Sequence, residues 1–198
     1  MKEMSSLAYI DSYNEGHPLH ESLMELYKRI PQLWLDSETG EQITAYLFPP
    51  ATVNIGEPMA DGTFMGIDGS AHSLAECKGK YILVDIWSAG CYPCVMSIPE
   101  LKEVSETYSD KLKVVSISID EEKAWKKALA THGLTDTTNN WRDPEGMHGL
   151  KLKYGGNGIP LYILISPDGT VLDKKTGYGN GSLKTMLNEY LNMQESGN

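Results

Sequence analysis

Apolar and polar positions change rhythm about a quarter of the way along the chain. Beyond Gly56, short unbroken apolar runs alternate with stretches of helical spacing. Tyr81-Ile82-Leu83-Val84 opens a run rich in branched residues that continues to Ile86, the pattern of a strand buried on both faces of a sheet. Leu112 to Ile119 (LKVVSISI) and Leu161 to Ile165 predict two more strands. Between them, Val95, Ile98, Leu101 and Val104 recur at helical intervals and predict a helix to about Tyr108. Ala124, Trp125, Ala128 and Leu129 mark a second helix over Asp120 to His132, with Gly133 as its C-terminal cap. Pro167-Asp168-Gly169 is a turn, Thr170 to Leu172 a short strand, and Leu183 to Leu191 a last helix with Ser182 as its cap. Upstream, Asp68-Gly69 separates Thr63 to Ile67 from Ala71 to Leu74 and predicts a small hairpin. Strands alternating with helices require parallel crossovers, and strands joined by a three-residue turn form an antiparallel pair. The expected fold is α/β, a mixed sheet with helices on both faces.

The first 50 residues follow another pattern. Leu19, Leu23, Leu26, Tyr27 and Ile30 predict an amphipathic helix over His20 to Arg29, ended by Pro31. Asp36 to Gly40 reads as a loop or turn and Phe48-Pro49-Pro50 as a rigid connector, which sets the expected boundary. Residues 1–50 are expected to be a helical appendage or the remnant of a larger domain, and residues 51–198 the main domain. A chain of 198 residues holds one domain with a sizeable core plus such an appendage.

Charge narrows the function. Acidic side chains outnumber basic ones by 27 to 17, a net charge of −10, and no basic stripe is present, which argues against nucleic acid as a partner. No apolar run approaches the roughly 18–20 residues of a membrane span, and the first 30 residues lack the zones of a secretory signal. The expectation is a soluble chain, mature or trimmed. Of its three cysteines two form a close pair, Cys91 and Cys94, a usage that points to catalysis or metal binding rather than a disulfide scaffold.

The pair sits where strand gives way to helix. At a helix N-terminus unsatisfied N–H groups and the dipole favour negative charge, so Cys91 is the candidate thiolate. Cys94, one turn on and facing the same side, can resolve a mixed disulfide by intramolecular attack. Pro93 fits the first turn without losing a helical hydrogen bond, and Pro99 is expected to kink the helix. The competing reading is half of a zinc site, for which Cys77 and His72 are only a loose second pair. A peroxiredoxin-type thiol calls for proline seven residues before the cysteine, where Val84 stands, and a copper carrier for three intervening residues. Cys77 otherwise reads as a lone small residue, and Trp125 and Trp141 as packing residues.

The segment Asp85-Ile86-Trp87-Ser88-Ala89-Gly90-Cys91-Tyr92-Pro93-Cys94, with Pro99 beyond it, resembles the thioredoxin active site. The preceding hairpin, Pro99-Glu100-Leu101, and the long segment before Gly158-Ile159-Pro160 resemble the TlpA/ResA-like thiol-disulfide oxidoreductases, over about residues 56–195. The resemblance implies a thioredoxin-like sheet with an N-terminal hairpin and an insertion, Thr135 to Gly158, before a cis-proline. It implies Cys91 as nucleophile, Cys94 as resolving thiol, Asp85 as the buried acid beneath the pair and Pro160 as the cis-proline. Trp87, Tyr92, Pro93 and Ile159 would line the substrate groove. Asp85, buried without a cation, is expected to have a raised pKa and to relay the proton of Cys94. Gly90, where tryptophan is usual, and Tyr92, where glycine or proline is usual, depart from the family pattern and are expected to open Cys91 and alter its redox poise. The implied activity is reduction of disulfide-containing protein substrates with no cofactor and no metal. The implied setting is the bacterial envelope facing the periplasm, fed by a membrane thiol reductant, with the membrane reached only through an anchor absent from this sequence. The alternative is a binding or metal-holding module on the same fold, without redox turnover.

Overall fold

A computed structural model describes residues 2–12, 17–48, 51–135, 139–155 and 158–191. The chain divides into two compact units, residues 1–52 and 53–198. In the first unit, α1 (Lys2–Ser12), α2 (His20–Tyr27), α3 (Gln32–Leu35) and α4 (Glu38–Leu47) gather around Ala8, Leu23, Ile43, Tyr46 and Leu47. The helix expected over His20 to Arg29 and ended by Pro31 stops at Tyr27, four residues before that proline. The loop expected at Asp36 to Gly40 is a correction: α4 begins at Glu38, because the Ser37 hydroxyl accepts the Gly40 N–H at 3.3 Å and caps the helix. Gly40 belongs there for a steric reason, since a Cβ would lie 2.2 Å from the Trp34 carbonyl oxygen. Of the expected proline connector, Pro49 and Pro50 lie outside the described residues.

The second unit is a seven-stranded sheet. Its strands are β1 (Phe64–Met65), β2 (Ala71–His72), β3 (Tyr81–Trp87), β4 (Leu112–Ser118), β5 (Asn140–Arg142), β6 (Leu161–Ile165) and β7 (Val171–Thr176). The spatial order is β2-β1-β5-β4-β3-β6-β7. β3, β4 and β5 run parallel, joined by α5 (Tyr92–Thr107) and α6 (Glu122–His132), while β6, β7 and the hairpin pair antiparallel. The hairpin turns at Asp68-Gly69 with Gly69 at φ 84°, a left-handed conformation that glycine adopts without strain. Gly133 closes α6 the same way, at φ 66°. The insertion contributes β5, a 3₁₀ turn at Gly146–His148 and α7 (Leu150–Lys153); residues 136–138, 156 and 157, within the stretch read as the insertion, lie outside the described residues. β7 runs to Thr176, past the expected Leu172, because its backbone goes on pairing with β6 and the Lys174 ammonium finds partners in the Val53 and Tyr154 carbonyls at 2.7 and 3.3 Å.

The alternation along β3 decides what the active-site end of the molecule looks like. Ile82, Val84 and Ile86 face one layer of the core, with Val115, Ile117, Trp141 and Tyr154. Leu83 faces the opposite layer, with Leu101 and Val104 of α5 and Leu183, Met186 and Leu187 of α8 (Ser182–Leu191). Asp85 shares the parity of Leu83, so the one acid of this strand points to the α5 side.

Candidate active site

Cys91 and Cys94 are joined by a disulfide, with Cα atoms 5.3 Å apart. Cys91 is the N-cap residue of α5 in extended conformation, and its sulfur accepts the Cys94 N–H at 3.3 Å. Its carbonyl accepts the N–H groups of Cys94 and Val95 at 3.1 and 3.2 Å, so the first cysteine sits in the cradle of N–H groups where helix polarity favours an anion. The loop before it is pinned from two sides. Cys91 N–H donates to the Ser88 carbonyl at 3.1 Å, and Ala89 N–H to the Asp120 carboxylate at 2.7 Å. Asp120 also accepts the Ser118 hydroxyl at 2.9 Å, which ties the loop to the end of β4.

The two sulfurs differ in access. Cys94 is buried and Cys91 half-buried, while Gly90, Tyr92 and Pro93 are exposed, Tyr92 to 73%. The space about the Gly90 Cα is open, with no atom within 4 Å of where a Cβ would stand. Trp87 is buried and packs with Cys94, Trp125, Ala128 and Leu129, against which Cys91 and Ile159 also lie. The Ile159–Pro160 bond is cis, and the Pro160 carbonyl accepts the Gly177 N–H at 2.8 Å. The structure thus brings Trp87, Ile159 and both cysteines into one cluster, with Pro160 joined to it through its peptide bond.

Asp85 and Cys94 line the same cavity. Asp85 is 3% exposed, and burial pushes its carboxyl up to about 7, only partly offset by the hydrogen bond from Ser116. Ser116 stands opposite Asp85 in the parallel pairing of β3 and β4, and its hydroxyl donates to Asp85 Oδ2 at 3.0 Å. Across the other edge Asp85 pairs with Tyr162 of β6, whose phenol is held above its ordinary range by burial and by the nearby Asp85 charge. Ser97, fully buried, donates to the Cys94 carbonyl at 2.8 Å. Cys77 is elsewhere, in the core layer with Phe64 and Leu74, and burial raises its thiol.

Two residues outside the expected set shape the site. Ser116 is one, a polar position of β4 set opposite Asp85 by the strand register. Glu100, one residue after Pro99, is the other: Oε1 accepts the N–H groups of Leu183 and Lys184 at 3.0 Å, and Oε2 accepts Gly181 N–H at 3.0 Å and the Tyr178 hydroxyl at 2.8 Å. Glu100 therefore caps α8, the place expected for Ser182. Ser182 is instead a helical residue whose hydroxyl accepts the Gly179 N–H at 3.4 Å.

This geometry matches known proteins. The family model described as Thioredoxin-like covers residues 79–171. The chain is 30% identical over 118 residues to thioredoxin of Bacillus subtilis, an alignment spanning 59% of this chain and 88% of the relative. Over 148 residues it is 26% identical to the thiol-disulfide oxidoreductase ResA of Geobacillus thermodenitrificans, spanning 73% of this chain and 83% of the relative. The solved thioredoxin domain of a thiol-disulfide oxidoreductase from Bacteroides vulgatus superposes with a TM-score of 0.61 at 28% identity, over 68% of this chain and 96% of that one. A cysteine pair capping a helix behind a buried strand, a cis-proline beside it and these relatives have one reading: the chain belongs to the thioredoxin superfamily and is TlpA/ResA-like.

Proposed function

We propose that the protein reduces disulfides of other proteins, with Cys91 as nucleophile, Cys94 as resolving thiol and Asp85 as proton acceptor. Thiol-disulfide oxidoreduction is its activity; the direction, the residue roles and the setting are our reading. In the reduced protein the Cys91 thiolate attacks a substrate sulfur, forming a mixed disulfide and releasing the first substrate thiolate. Cys94 passes its proton to the Asp85 carboxylate and attacks Cys91 Sγ. The mixed disulfide breaks, the second substrate thiolate leaves, and two electrons have moved from the dithiol to the substrate.

The observation that carries this is the position of Cys91 Sγ at the N-cap of α5, accepting the Cys94 N–H at 3.3 Å. That place favours the anion needed for attack. Asp85 supports the second step because its carboxyl, pushed up to about 7, can both take and give a proton near neutral pH. Exposed Tyr92 and Pro93, with half-buried Ile159 held by its cis bond to buried Pro160, form the surface on which an extended substrate segment rests, over buried Trp87.

We place this reaction in the bacterial envelope, facing the periplasm, with electrons supplied by a membrane thiol reductant. Among the described residues no helix is long and apolar enough to cross a membrane. The helical unit of residues 1–52 is an appendage to the redox domain on the same reading.

Replacement of Cys91 by Ser tests the central assignment. It is expected to abolish reduction of a protein disulfide, while Cys94→Ser accumulates a covalent mixed disulfide visible by mass spectrometry; normal turnover by the Cys91 variant would reject it. The direction is read from the Cys91–Cys94 reduction potential. A value near or below the roughly −270 mV of thioredoxin supports reduction, and one near the roughly −120 mV of a strong oxidant reverses the assignment.

A further inference from the structure

The α5 side of the sheet is not filled beneath the disulfide. A cavity of about 360 Å³ lies there, with Asp85, Cys94 and Ser116 in its wall. Its solvent end is marked by Lys102, Glu106 and Gly133, all exposed, and by half-buried Ser105 and His132. These α5 residues lie far from Cys91: fourteen positions of helix separate Cys91 from Ser105, about 20 Å at 1.5 Å per residue. The mouth and the reactive sulfur therefore open on different parts of the surface.

The two oxygens of Asp85 are treated differently. Oδ2 is held by the Ser116 hydroxyl at 3.0 Å, whereas Oδ1 has no hydrogen-bond partner among the described residues. A buried carboxylate oxygen left bare is costly, and a space whose largely apolar wall carries Ser116 and Asn140 beside Asp85, many times larger than the roughly 10–15 Å³ needed for one water, admits solvent to it.

The docked substrate creates the need for such access. Once the mixed disulfide has formed, the partner protein covers the Cys91 surface, just when the Cys94 proton must leave. We infer that the cavity is a solvent inlet through which Asp85 Oδ1 exchanges its proton with bulk water while a substrate covers Cys91, and that Ser116 is the positioning residue that turns Oδ1 toward it. This rests on the relay role of Asp85 proposed above. Cys94 S–H gives its proton to Asp85 Oδ1, the Cys94 thiolate displaces the substrate sulfur from Cys91, and Asp85 then loses that proton to water in the inlet. The titratable groups facing Asp85 are Cys94 from α5 and Tyr162 from β6, with Lys102, Glu106 and His132 at the mouth. Ser116 holds the Asp85 carboxyl lower than burial alone would leave it.

The test separates attack from resolution in single-turnover reduction of insulin, with attack followed by quenched mixed disulfide and resolution by formation of the Cys91–Cys94 disulfide. Glu106→Trp and Ser105→Trp plug the mouth; Glu106 is exposed, so that variant folds even if the other does not. Both are expected to leave attack unchanged and slow resolution about tenfold or more, within the roughly 10²–10⁴-fold that proton transfer to a positioned base supplies. Thr107→Trp, exposed and outside the cavity wall, is expected to change neither step. Ser116→Ala shifts the pH midpoint of resolution upward, and Ser116→Thr restores it. If Asp85→Asn slows resolution while the plugs and Ser116→Ala match wild type, the inlet is wrong and the relay stands. If Asp85→Asn itself resolves at the normal rate, the relay fails and takes the inlet with it.

Discussion

Glu100 of the active-site helix accepts the backbone N–H of Leu183 at 3.0 Å, so a side chain of α5 caps α8 from 83 residues away. With Lys184, Gly181 and Tyr178 also donating to it, one carboxylate satisfies four groups at the start of α8. Burial alone would raise its pKa, but these hydrogen bonds hold it below the ordinary range. Glu100→Ala is expected to cost about 2–4 kcal/mol, since hydrogen bonds to charged groups contribute roughly 1.5–3 kcal/mol and lost caps about 1. A carboxyl with a lowered folded pKa stabilises above its unfolded value and loses that contribution as pH falls through the folded one. The difference between wild type and Glu100→Ala in urea denaturation should therefore shrink below about pH 4, near the free Glu value.

Asp85 works in the opposite sense. Its folded carboxyl stands at about 7 against an ordinary 3.8, so the native state holds on to a proton that the unfolded chain gives up. The neutral acid is tolerated fully below the ordinary value, stability falls as pH rises toward about 7, and it levels off above. Three pKa units correspond to roughly 4 kcal/mol, an upper figure for the cost at alkaline pH. Asp85→Asn is expected to raise stability by about 2–4 kcal/mol at pH 8 and to change it little at pH 4. Denaturation curves of the oxidised protein across that range check it; equal effects at both ends would show that the carboxyl is not buried as found.

Much of the site is legible in the chain because its determinants are local. The apolar run Tyr81 to Ile86 announces a buried strand, and Cys91 and Cys94 stand one turn apart whatever the tertiary context. Asp85 can be assigned to the α5 side from strand alternation once Leu83 is known to face that helix. Ser116 is different: its partner is 31 residues away, and only the register of β3 against β4 makes it the neighbour of Asp85 rather than of Val84. Glu100 is more distant still, and nothing local marks a glutamate after proline as the cap of another helix. In the N-terminal unit Ser37 was a readable cap, but Gly40 in the first turn masked the helix by its low propensity, where packing against the Trp34 carbonyl leaves no space for any side chain.

Cys77 supplies an internal control. It packs with Phe64 and Leu74, and burial raises its thiol, so it is neither accessible nor readily ionised. In the reduced native protein, iodoacetamide is expected to modify Cys91 first and to leave Cys77 unlabelled until denaturant is added. Cys77→Ala should preserve disulfide reduction and cost about 1 kcal/mol in stability for the lost packing. Peptide mapping after timed alkylation distinguishes the three thiols, and early labelling of Cys77 would contradict its burial.

Tyr92 tests where the substrate rests. Its ring is 73% exposed although it follows Cys91 directly, so the fold gains little from it and a docked protein gains an aromatic contact surface. Tyr92→Ala is expected to change stability by no more than about 0.5 kcal/mol, as for surface positions without a structural partner. Its effect should fall on substrate binding: KM for a protein disulfide rises about five- to tenfold, the equivalent of roughly 1–1.4 kcal/mol, with kcat nearly unchanged. A small linear disulfide such as oxidised glutathione touches little beyond the sulfurs, so reaction with it is expected to match wild type. Parallel loss with both substrates would mean that Tyr92 acts on the reactivity of Cys91 and not on docking, which leaves the contact surface to Ile159 and its neighbours.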